Sequence, residues 1–148
     1  MVTSAHLFAG AAIGKLTGNF YLAIPIAFMS HYVLDAVPHY NPKAVKLYLK
    51  KGLQGVDKKD LLIKGIEPLL GVLITSFIAY TQKEFALIMI VSAFFAWVPD
   101  LLVFWEWKYN HNQGVITRIE NIHHKHTTFF SGSIPQLIIS ILAFWIIF

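Results

Sequence analysis

The sequence predicts an all-α fold, a polytopic membrane bundle of about five apolar helices forming one domain over residues 1–148. Three observations carry that expectation. Hydrophobic residues make up 56% of the chain and charged residues only 14%, against about 25% charged in ordinary soluble domains. The mean hydropathy is +0.58. The apolar residues also gather in runs too long for the core helices of a small soluble domain, so lipid is the expected solvent for much of the surface.

The first helix is expected over 5–16, with Thr3 or Ser4 as a natural N-cap. Gly10 and Gly14 give it a GxxxG pair, which lets a neighbouring helix approach closely. Thr17-Gly18-Asn19 reads as a turn, and a second helix over 20–37 completes a tight hairpin of short helices. Pro38 and Pro42 end it. The following PKAVKLYLKKGLQG places Val45, Tyr48 and Leu49 on one face and lysines around the rest, the pattern of an amphipathic helix lying on a membrane surface. The plainer reading is a solvated basic loop. A third helix is expected over 60–80, a turn at 81–84, and a fourth helix over 85–105. Trp97, Trp105 and Trp107 suit its interfacial end. Residues 106–131 are polar, aromatic and rich in histidine. Ser133 is then expected to cap a last apolar segment over 134–148.

There is no cysteine, so disulfides and thiolate metal sites are excluded and any metal must use His, Asp and Glu. The formal charge is +4, with a pI near 9.3. The basic residues lie beside hydrophobic segments, which points to anionic lipid headgroups, met by Lys43, Lys46, Lys50 and Lys51, and not to nucleic acid. The opening MVTSAHLFAGAAIG lacks a basic n-region and an obvious cleavage site, so it is expected to be retained. Folded up and down, the helices put Lys15 and Lys83 at one face and the other ten of the twelve basic residues at or near the opposite one. The positive-inside rule then places the N-terminus and the long loops in the cytoplasm.

On that topology the histidines and buried acids converge at the cytoplasmic face. His6 begins the first helix, and His31 and Asp35 share one face of the second at i,i+4 spacing. His39 follows the Pro38 break, Glu67 lies about two turns into the third helix, and Asp100 is late in the fourth. His123 and His126, at i,i+3, follow from the next segment, while His124 points elsewhere in a helix and His111 reads as plain surface. A charged group at a span centre costs at least about 2.5–3.5 kcal/mol, less near an interface. Three carboxylates there must pair, protonate, reach water or bind a cation, and a divalent ion among imidazoles and carboxylates would satisfy them together. Each residue also has a structural reading. His31 can simply bond Asp35, Glu67 can pair with Lys64, Asp100 after Pro99 can cap a broken helix, and His39 can sit among headgroups.

The stretches HLFAGAAIG and AFMSHYVLDAVPHYNP resemble the LexA-regulated YdjM-like family of small bacterial inner-membrane proteins, grouped as metal-dependent hydrolases. The element carrying most of the likeness is SHxxxDxxPH, here Ser30 to His39, with a Pro-Asp late in a later helix and a downstream His cluster. The resemblance implies a membrane-embedded hydrolase site using His6, His31, Asp35, His39, Asp100 and His123 or His126. Better-known members look to carry PDxDH and HRGxTHS where this chain has Pro99-Asp100-Leu101-Leu102-Val103 and His123-His124-Lys125-His126-Thr127-Thr128.

The expected function is therefore metal-dependent hydrolysis at the cytoplasmic leaflet, on a phosphoester or another polar lipid headgroup. Zinc is the favoured ion, with manganese or iron as alternatives. The ligand set is large enough for a dinuclear site in which Asp35 or Asp100 bridges and Glu67 is a ligand or the general base. Glu67 and Asp100 are thus the expected catalytic carboxylates. A divalent-cation or proton carrier is the second expectation, weakened because the outer helix halves carry only Thr75, Ser76 and Ser92 as polar residues. A membrane adaptor with a structural metal is the third.

Overall fold

Thr17-Gly18-Asn19 is built as the sequence suggests. Gly18 takes the left-handed conformation (φ 58°) and its amide donates to Gly14 O, closing helix α1 (Thr3–Thr17). Asn19 then caps helix α2 (Phe20–Ala36), its side chain accepting from the Tyr21 amide at 2.9 Å. The computed structural model describes residues 1–39, 58–110, 115, 118–119 and 127–148. Helices α3 (Lys58–Thr81), α4 (Ala86–Asn110) and α5 (Phe129–Ile147) complete the described chain, which is all-helical with no strand among those residues. The expected amphipathic segment and most of the His-rich stretch lie outside the described residues.

The start of α5 departs from expectation. Ser133 is not its cap; the helix begins at Phe129 with Thr128 at the N-cap, and its first bond runs from the Gly132 amide to Thr128 O at 2.9 Å. Thr128 Oγ1 and Ser131 Oγ lie 2.8 Å apart, so the earlier hydroxyl pair organises this end. Proline ends a helix only at Pro38 among the described residues. Each of α2 to α5 runs through an internal proline, at Pro25, Pro68, Pro99 and Pro135. Trp97, expected at the interfacial end of its helix, is partly buried and packs against the buried core.

The short α1 is the central element, in contact with all four other helices. Its small residues explain that position. A Cβ on Gly10 would meet Ser92 O at 2.7 Å and Ala93 Cα at 2.8 Å, and one on Gly14 would meet Ile88 O at 2.7 Å. The glycine pair therefore lets α1 lie directly on the α4 backbone, with Leu7, Phe8, Ala11 and Ala12 buried beside it. At the far end Lys15 Nζ donates to Ile147 O at 2.5 Å, placing a cation on the carbonyl end of α5. Two helices contain spans long and apolar enough to cross a membrane, over Ala86–Glu106 and Phe130–Ile147, and two shorter apolar stretches cover Phe20–Ala36 and Gly65–Thr81.

The close approach sets a test. Gly10→Ala must push backbone apart and should cost about 1–3 kcal/mol, lowering the unfolding temperature in detergent. Gly65→Ala meets nothing within 4 Å and should be neutral or stabilising by up to about 1 kcal/mol. Equal effects of the two substitutions would contradict this packing.

Candidate metal centre

Three separate stretches of chain supply the site. His31 and Asp35 lie on one face of α2, a turn apart. The helix then ends because Val37 precedes Pro38 and is held extended (φ −70°, ψ 133°). The turn back buries His39, whose Nδ1 lies 2.8 Å from Val37 O. From α1 comes His6, its ring stacked on His31 with centroids 4.1 Å apart and planes at 25°. From α4 comes Asp100, whose Oδ1 is 3.9 Å from His31 Nε2.

His6, His31, Asp35 and His39 are all at most 1% exposed. Asp35 is the hub of the cluster. Its Oδ1 lies 2.5 Å from the Met1 ammonium, 3.3 Å from His6 Nε2 and 3.9 Å from His39 Nε2, and its Oδ2 lies 3.2 Å from His31 Nε2. The ammonium is also 2.8 Å from His39 Nε2.

Two carbonyls decide which ring nitrogens face the centre as bases. His31 Nδ1 is 3.0 Å from Ala96 O, and His39 Nδ1 faces Val37 O. A carbonyl only accepts, so both Nδ1 atoms carry hydrogen and both neutral rings turn an Nε2 lone pair inward. A backbone carbonyl on the outer nitrogen is how metal-ligating histidines are oriented. For His31 that lone pair faces the carboxylates of Asp35 and Asp100. The arrangement calls for positive charge, either a proton on Nε2 or a cation between the groups. His6 adds to the demand: its Nε2 faces Asp35 Oδ1 at 3.3 Å, and its buried Nδ1 has no hydrogen bond among the described residues. Each unmet polar group costs about 1–3 kcal/mol.

His6, His31 and Asp100 can hold a metal ion: one ligand atom from each lies within 4.8 Å of the others. Ligands around a four-coordinate zinc sit about 2.0–2.2 Å from the ion, within reach of small side-chain rotations. Asp100 is the open side of this group, with a side chain 36% exposed against 0% for His31. The structure thus brings His6, His31, Asp35, His39 and Asp100 together, while His123 and His126 lie outside the described residues.

Glu67 is not drawn into that group. Its Oε2 accepts from the Thr3 amide at 3.2 Å and its Oε1 from the Ser4 amide at 2.7 Å. Val2, not Thr3 or Ser4, is the N-cap of α1, and it has no side-chain cap bond. Glu67 supplies from α3 the anion that the first turn of α1 lacks. Thr3 is freed for the site instead, its hydroxyl donating to Asp100 Oδ2 at 3.4 Å. The sequence contained a signal for this pairing, since α1 has no acidic residue in its first turn. The Met1 amine carried no such signal.

Comparison of the chain with protein-family models, curated proteins and solved structures finds no match.

Glu67→Ala should free the α1 N-terminus. The Thr3 and Ser4 amides should exchange hydrogen faster, and stability should fall by about 1–2 kcal/mol. Glu67→Gln, which keeps an acceptor without the charge, should lie between. Unchanged exchange at both amides in Glu67→Ala would show that the carboxylate does not hold this helix.

Proposed function

We propose that the protein is a membrane-embedded, metal-dependent hydrolase whose centre opens at the cytoplasmic face and acts on a phosphoester or another polar lipid headgroup. The observation carrying this reading is the asymmetry of the ligand group. His6 and His31 are fully buried, whereas Asp100 is about one-third exposed. A structural metal closes all its positions with protein ligands, and a catalytic one keeps a position for water or substrate. Three protein ligands with one at an open edge match the catalytic arrangement. The ion would lower the pKa of its bound water and polarise the scissile ester. Zinc suits imidazole and carboxylate donors, with manganese or iron as alternatives. Glu67, held by two amides, is left out of the ligand set.

Several features support the membrane setting. Outward-facing residues on α3 and α5 are large and apolar, among them Leu69, Leu73, Phe77, Phe130, Leu137 and Trp145, each more than half exposed. Only 22% of the Phe130–Ile147 window and 33% of the Ala86–Glu106 window are buried within the protein. In water such helices would be an aggregation hazard, whereas lipid covers them. Helices α2 and α3 would cross beside them, giving a multi-pass protein of a bacterial inner membrane. The excess of Lys and Arg on the loops at the end bearing the site assigns that end to the cytoplasm, with Lys43, Lys46, Lys50 and Lys51 drawing anionic headgroups toward it. The likeness of SHxxxDxxPH to the YdjM-like family agrees with this reading.

The experiment is metal analysis of detergent-purified protein combined with headgroup release from vesicles of anionic phospholipid. Loss of an outer partner of a metal ligand costs roughly 10–100-fold in affinity. His31→Ala and Asp100→Asn, which remove direct ligands, should therefore lose at least that much and release no headgroup. A parent protein that binds no zinc, manganese or iron would overturn the metal reading. Metal binding without release from any lipid tested would leave the ion structural and overturn the hydrolase reading.

A further inference from the structure

Val2, at the start of α1, and one face of α5 line a cavity of about 410 Å³ among the described residues. That lies within the range of about 300–1,000 Å³ for small-molecule sites. The α5 wall runs from Phe130 to Ser140, about 15 Å of helix. At the other end of α1, Lys15 reaches Ile147 O, so the two helices run side by side in the same direction. We propose that this groove holds an acyl chain of the substrate, which makes the substrate a long-chain membrane lipid and not a water-soluble phosphoester. The inference rests on the hydrolase reading above and names the substrate class for it.

The position of Val2 carries the argument. Its neighbours on both sides reach the candidate centre. The Met1 amine pairs with Asp35, and the Thr3 hydroxyl donates to Asp100 Oδ2 at 3.4 Å. Asp100 is the exposed edge of the ligand group. The groove therefore begins beside both carboxylates and follows α5 away from them. Its length of about 15 Å matches the depth of one leaflet, half of a hydrocarbon core of about 30 Å. A lipid lying in it sets its headgroup ester at the end that bears the centre.

The lining suits a hydrocarbon chain. Phe130, Ile134 and Leu137 are each more than half exposed, so the groove opens sideways, toward the surrounding lipid. Its polar residues do not make it a polar site: Ser140 Oγ is spent on Gln136 O at 2.9 Å, and Gln136 is only 7% exposed. A chain entering from the side exchanges one apolar environment for another. A soluble ester would lose hydration against the same wall without gaining hydrogen bonds from it. Contacts to the remote chain then serve to position the headgroup for reaction.

The test uses the full-length protein in detergent with dipalmitoyl phosphatidylglycerol or its water-soluble dihexanoyl analogue, which share one headgroup. The wild type should favour the long-chain lipid by on the order of 100-fold in kcat/KM, the scale of lost positioning. Leu137→Trp, which fills the groove from an exposed position, should lose most of that preference. Leu142→Trp, also about half exposed on α5 but outside the lining, should keep it. Equal turnover of both lipids by the wild type, or a preference that survives in Leu137→Trp, would overturn the groove. Release from neither lipid would count against the hydrolase reading instead, and native mass spectrometry would then decide the groove. One dipalmitoyl lipid retained by the wild type and lost from Leu137→Trp would support it. No retained lipid, or equal retention by both proteins, would overturn it. If Leu137→Trp does not fold, Ile134→Trp takes its place.

Discussion

A carboxylate at 1% exposure in an apolar bundle has to be neutralised, and the surroundings of Asp35 are organised around that constraint. Three imidazoles and an ammonium approach its two oxygens. The imidazoles cannot all be charged at this depth without a cost as large as the one they relieve. Backbone carbonyls fix two of them as inward-facing bases, and while the ammonium meets Oδ1, the His31 Nε2 lone pair between Asp35 Oδ2 and Asp100 calls for positive charge. A divalent ion supplies it with fewer buried protons than any protonated form. The metal reading follows from this deficit together with the open edge at Asp100.

The rest of the fold brings the three site-bearing stretches to one end. The glycine pair of α1 sets it on the α4 backbone, where His6 can stack on His31. Glu67 holds the first turn of α1 and leaves the Thr3 hydroxyl for Asp100. One helix terminus is therefore tied both to α3 and to the site. Lys15 does the complementary work at the opposite end, on the last carbonyls of α5.

Much of this was legible in the sequence because apolar runs and turn residues act locally. Gly18 and Asn19 end one helix and start the next as their chemistry requires. The i,i+4 spacing of His31 and Asp35, with the Pro38 break before His39, placed three site residues correctly relative to one another. What was not legible depends on contacts between distant segments. The role of Glu67 needed knowledge that α3 meets the start of α1, and the Met1 amine has no side-chain pattern to read. The start of α5 was misread because two hydroxyl-bearing caps compete within five residues, and the earlier one allows another turn of helix. Trp97 was assigned to an interface by residue type alone, and its packing against the core depends on neighbours from other helices.

The central claim is an ion between His6, His31 and Asp100, and anomalous diffraction at the zinc edge from crystals grown with zinc tests it most directly. The account predicts an anomalous peak about 2.0–2.2 Å from a nitrogen of each histidine and an oxygen of Asp100. Crystals grown in saturating zinc with no peak among these residues would contradict it.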